Sequence, residues 1–124
     1  MIRALLAVLL LTLTACGSAG PAPVPAGPPV GELRIGMQEY RFQLSAGTLR
    51  PGPVTVVVTN AGSAAHDVVL EQDHAEIGRS RVLAPGGRQT LEVQVGPGAP
   101  VHLTCTLTGH AEAGMHTSVD VAAP

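Results

Sequence analysis

The chain has 124 residues, 45% of them hydrophobic and only 13% charged, with 15 Gly, 11 Pro, no Trp, one Tyr and one Phe. That length holds one domain and excludes barrel enzymes, doubly wound dinucleotide folds and two-domain oxidases. Seven Arg, no Lys and nine acids leave a formal charge of −2, so no basic stripe can neutralise a run of phosphates and nucleic acid is not expected as a partner.

The chain opens with Arg3 and a ten-residue apolar run over 4–13. A permanent membrane-spanning helix needs about 20 apolar residues, so the run reads as an export signal. Leu13-Thr14-Ala15-Cys16 follows at once and resembles the lipobox of bacterial lipoproteins. The resemblance implies that Cys16 becomes the acylated first residue of a mature protein anchored to the cell envelope. Cleavage of an ordinary signal peptide nearby is the alternative. Residues 17–29, GSAGPAPVPAGPP, have five prolines and no periodic apolar face, which predicts a semi-rigid tether. The expected organisation is a signal peptide over 1–15, lipidated Cys16 and tether over 16–29, and one folded domain over 30–124. With lipid on Cys16, Cys105 is a lone thiol in an oxidising compartment, where a free thiol needs a reason to persist.

Within the folded part, short alternating runs rich in β-branched residues recur at 32–37, 40–44, 54–60, 67–71, 79–83, 89–95, 101–106 and 117–121. Breakers separate them at Pro51-Gly52-Pro53, Asn60-Ala61-Gly62, Pro85-Gly86-Gly87 and Gly96-Pro97-Gly98. About eight strands and no capped helical period predict an all-β, antiparallel Greek-key sandwich or barrel. One short helical turn is expected within 73–78. Alternation places Val101, Leu103 and Cys105 inward, with His102 and Thr104 outward. It gives His66, Val68 and Leu70 one face, Asp67 and Val69 the other. Tyr40 and Phe42, two residues apart, are expected to pack together in the core.

The chemistry lies in Cys105-Thr-Leu-Thr-Gly-His110-Ala-Glu-Ala-Gly-Met115, a Cys-x4-His-x4-Met spacing at the end of the penultimate strand. A thiolate, an imidazole and a thioether on one short loop suit copper, which accepts sulfur and nitrogen ligands in both oxidation states. A trigonal site needs a second histidine, and His66, after the turn Asn60-Ala-Gly-Ser-Ala-Ala, supplies one. His116 is expected outward because adjacent residues in an extending chain point to opposite sides. His74 and His102 read as surface residues and Met37 as core. The acids Glu71, Asp73 and Glu76 read as a solvated face.

With VTNAGSAAHDVVL and CTLTGHAEAGM as its two signatures, the stretch from about Gly31 to Val121 resembles a cupredoxin of the plastocyanin/azurin class. The resemblance implies that His66, Cys105 and His110 are the equatorial ligands of one type 1 copper ion and Met115 the axial one. It implies that Asp67, where many relatives carry Asn, ties the two ligand loops together by hydrogen bonds. Thr106, next to Cys105, is the other residue expected just outside the ligand set. Thr108 stands where many relatives have Pro, and Thr104 where they have an aromatic. The function so implied is one-electron carriage between extracytoplasmic redox proteins, of cytochrome c or copper oxidoreductase type, by an envelope-anchored monomer that is not an enzyme. Copper binding and delivery without electron shuttling is the alternative. The related nitrite reductases and multicopper oxidases need a second domain or further His clusters, and the binuclear copper centre of cytochrome oxidase needs a second loop cysteine. Electrons are expected to pass through His110 under an apolar hood of Gly109, Ala111, Ala113 and Gly114, with no aromatic neighbour to extend the path.

Overall fold

A computed structural model describes residues 22–124. Cys16 and the proposed signal peptide lie outside the described residues. Nine strands follow in order: β1 (Glu32–Gln38), β2 (Arg41–Leu44), β3 (Thr48–Leu49), β4 (Gly52–Asn60), β5 (Val69–Gln72), β6 (Ala75–Arg79), β7 (Arg88–Val95), β8 (Val101–Thr104) and β9 (His116–Val121). They form two sheets, ordered β2-β1-β4-β7 and β3-β9-β8-β5-β6, with no helix among the described residues.

The sandwich follows from alternation. In β1, Leu33, Ile35 and Met37 are buried while Glu32 and Arg34 face water. Val54, Val56 and Val58 of β4 and Val93 and Val95 of β7 extend that inner face. Leu70, Val101, Leu103, Val119 and Val121 meet them from the other sheet. A side chain of this size contributes roughly 1.5–3 kcal/mol when fully buried, so the shared layer supplies the main drive to fold.

Pairing is mixed. Most neighbours are antiparallel, but β1 runs parallel to β4 over Glu32 to Met37, and β3 runs parallel to β9. Both parallel contacts join segments separated by a crossover, which local periodicity does not encode. Segment 73–78 is no helical turn. Asp73 and His74 have φ of 50° and 63° and link β5 to β6, with Gln72 opposite Ala75. Two successive left-handed residues make the type I′ turn of a tight hairpin, and a turn without glycine hides its signature. Accordingly the strand expected at 79–83 lies earlier, at β6. Beyond it Ser80 is buried and pairs locally with Val68, its hydroxyl accepting from the Val68 N–H at 3.0 Å. Leu83 forms an isolated bridge with His66.

Candidate metal centre

Three segments converge at the end of the sandwich where β1 finishes. His66 is held by the bridge to Leu83, its N–H donating to the Leu83 carbonyl at 3.1 Å and its carbonyl accepting from Leu83 at 2.8 Å. The preceding turn is fixed by Asn60, fully buried, whose amide donates to the carbonyls of Ala64 and Leu83 at 2.8 Å each and accepts from Gly62 at 2.9 Å. Every polar atom of that side chain has a partner, as a buried amide requires.

Cys105 follows β8 directly, and its N–H donates to the Met115 carbonyl at 3.1 Å. Between them the chain winds through successive turns. The His110 N–H donates to Leu107, that of Ala113 to Gly109, and that of Met115 back to His110. Gly109, at φ 82°, supplies the left-handed backbone that returns His110 toward Cys105.

The side chains then meet. His66 Nδ1 lies 3.2 Å from His110 Nδ1, and Cys105 Sγ lies 3.4 Å from His110 Nδ1. One donor atom from each residue falls within 4.8 Å of the others. Donors that share one ion at about 2.0–2.3 Å stand apart by distances of this order. Cys105, His66 and Met115 are fully buried and His110 is half-buried. Two imidazole nitrogens with a thiol, beside a buried thioether on the same loop, are a soft donor set that fits one copper ion. Burial pushes the Cys105 thiol above its ordinary value, with the nearby Asp67 and Leu107 backbone pulling the other way. A thiol kept protonated in a dry site is inert until a cation displaces its proton.

Asp67 and Val69, on the face opposite Val68 and Leu70, are buried as well. Asp67 Oδ1 accepts the Thr106 N–H at 2.7 Å and its Oδ2 accepts the Thr106 hydroxyl. The neighbour of His66 is thus bonded to the neighbour of Cys105. His74, His102 and His116 are exposed and stand outside the cluster, and Met37 is core. Glu71, Asp73 and Glu76 face water, and Arg79, 2.8 Å from Glu76, holds the Glu76 carboxyl below the usual range.

Two neighbours of the cluster depart from the sequence reading. Tyr40 is 44% exposed, not core; only Phe42 is buried. Its ring stands edge-on to His110, centroids 4.9 Å apart at 70°, so His110 does have an aromatic neighbour. Tyr40 precedes β2 at the β1–β2 corner, where strand alternation does not apply. Glu39 went unmarked altogether. Its Oε1 lies 3.1 Å from His66 Nε2 and accepts the N–H groups of Ser63 and Ala64 at 2.7 and 2.8 Å. The Ala64 N–H first, then His66, hold this carboxyl down at about 2. An acid at a hairpin corner reads as solvated, and its partners lie 24 to 27 residues away; only the absence of a side chain at Gly62, against which Glu39 lies, could have hinted at it.

No family profile matches the sequence, and no curated protein matches it. Among solved structures, a dithionite-reduced auracyanin from Roseiflexus castenholzii is similar over 77% of this chain and 99% of its own, at 18% identity and TM-score 0.64. Auracyanin A, a "blue" copper protein from Chloroflexus aurantiacus, matches 76% of this chain and 99% of its own, at 15% identity and TM-score 0.54. The blue copper oxidase of Nitrosomonas europaea matches 74% of this chain at 17% identity and TM-score 0.55, and the match spans 38% of the oxidase.

Proposed function

We propose that this chain, whose fold is that of the cupredoxins, is a mononuclear copper protein that carries single electrons. His66 Nδ1, His110 Nδ1 and Cys105 Sγ would be the strong donors, and the buried Met115 thioether on the same loop would supply a weaker fourth. The observation that carries the reading is the convergence of the two Nδ1 atoms and Sγ in a largely dry site. Copper in such a set supplies a Cu(I)/Cu(II) couple. The residues do the rest. The loop from Cys105 to Met115 and the Asp67–Thr106 bonds hold the donors in one arrangement, so little need move when the charge changes. Four protein donors leave no position for substrate, which favours carriage over catalysis.

His110 is the half-buried donor, beside exposed Gly109, Ala113 and Gly114 and half-buried Ala111. In this reading its ring edge is where electrons enter and leave, with Tyr40 at the rim. The partners are extracytoplasmic redox proteins, and the chain is exported and anchored through lipid on Cys16. β1 runs from Glu32 toward the site, seven residues at about 3.3 Å each, so a tether ending at residue 29 leaves the domain at the end remote from the site. An anchor there leaves His110 facing away from the membrane.

The test is a soluble domain beginning near Val30, loaded with Cu(II), with visible absorption and paramagnetic resonance recorded beside a Cys105→Ser variant. The expected result is an intense thiolate-to-copper band with narrow hyperfine splitting, absent from the variant. A colourless protein, or copper bound equally well without Cys105, overturns the assignment.

A further inference from the structure

Glu39 touches the cluster from a segment that supplies none of its donors, and its surroundings are built around it. Oε1 alone receives three contacts: Ser63 N–H, Ala64 N–H and His66 Nε2. A Cβ at residue 62 would collide with the same oxygen, and residue 62 is Gly with no positive φ to require it. His66 itself is fully buried, so its ring has no water to choose its proton position.

We infer that Glu39 is the positioning residue of His66: its carboxylate holds the ring proton on Nε2, turns the Nδ1 lone pair toward Cys105 and His110, and biases the site toward the higher oxidation state. An ionised carboxylate only accepts, so the nitrogen facing it must carry the hydrogen. The other nitrogen is then the free donor, and it is the one 3.2 Å from His110. A negative charge bonded through an imidazole raises the ring's basicity and stabilises a dipositive ion over a monopositive one. The second part of this inference rests on the copper reading; the first does not.

The isosteric variant Glu39→Gln separates charge from packing. All three contacts fall on one oxygen, so the amide oxygen of Gln accepts the same hydrogens while the charge is lost. Nitrogen NMR of the metal-free protein is expected to show the His66 ring protonated at Nε2 and bare at Nδ1, in wild type and E39Q alike. Gly62→Ala, which leaves Glu39 in the sequence but displaces its carboxylate, is expected to give a mixture of the two tautomers. In the copper-loaded protein, E39Q is expected to keep the thiolate band and to shift the preference toward Cu(I) about tenfold, a rise of about 59 mV in potential for one electron. A proton on Nδ1 in wild type, or a potential in E39Q within about a twofold preference of wild type, overturns the inference. The ring measurement needs no copper, so failure of the copper reading shows separately, as a missing band with the Nε2 proton in place.

Discussion

Replacing Asp67 with Ala removes both bonds from its carboxylate to Thr106, the direct tie between the residue after His66 and the residue after Cys105. Hydrogen bonds to a charged group contribute roughly 1.5–3 kcal/mol each. Thr106 is exposed and water can take up its freed hydroxyl, so the lower value applies to each bond and the expected loss is about 3 kcal/mol. For a domain of about 95 residues this lowers the Tm by about 12–24 °C. Urea titration of the metal-free protein is the assay, because bound metal would add its own stabilisation. Thr106→Val, which keeps the N–H bond, should lose about 1.5 kcal/mol. The double variant should then be little worse than Asp67→Ala alone, since the hydroxyl's partner is already gone. Asp67→Asn should fall between, its oxygen accepting the Thr106 N–H and its amide donating to the hydroxyl oxygen. A loss below about 0.5 kcal/mol in Asp67→Ala, the range of ordinary surface changes, would refute the clamp.

Three further outcomes can be checked. Cys105 titrates higher in the folded, metal-free protein than the ordinary thiol value of 9.0, so above about pH 9 the unfolded chain loses a proton that the native state keeps. Stability is therefore full below that pH and falls as pH rises through it; urea midpoints across pH 7 to 10 should show the fall, and Cys105→Ser should reduce it. Gly78→Ala places a Cβ 2.6 Å from Val93 Cγ1, a buried branched side chain that cannot swing aside, and should cost about 1–3 kcal/mol in the same titration; no loss would mean that β6 moves freely over β7. Ala111→Lys or Ala113→Lys should slow electron exchange with a protein partner by about tenfold or more and leave the copper spectrum intact; unchanged exchange counts against the His110 port.

Much of the site could be read from the chain because its donors are scarce and three sit on one loop. Cys105, His110 and Met115 fall at fixed offsets, and His66 opens a segment whose inward face, Val68 and Leu70, leads to the same core. Alternation likewise gave the inward face of β8, where Val101, Leu103 and Cys105 are all buried. What escaped depends on contacts between distant segments or on departures from a regular strand. The parallel register of β1 on β4 is set by the crossover between them. Val69 sits on the face opposite Val68 and Leu70, yet it too is buried. Glu39 and Tyr40 occupy a two-residue corner between Gln38 and Arg41, where a period of two predicts nothing, and both turn out to touch imidazoles.

The two-residue strand β3 has a consequence for how the domain is reached. Leu49, fully buried, is flanked by Val30 on one side and Val121 on the other, so one short segment joins the earliest and latest parts of the fold. The second sheet is ordered around β9 and β8, and its central strands are the last to be synthesised. Pairings between such distant segments must close long loops before they are rewarded, which makes folding slow, in the range of milliseconds to seconds. A nascent chain that has emerged only to Met115 carries all four proposed donors but still lacks β9, the strand between β3 and β8. The six residues of β9 contain none of those donors, yet they pair with β8, the strand that leads into Cys105.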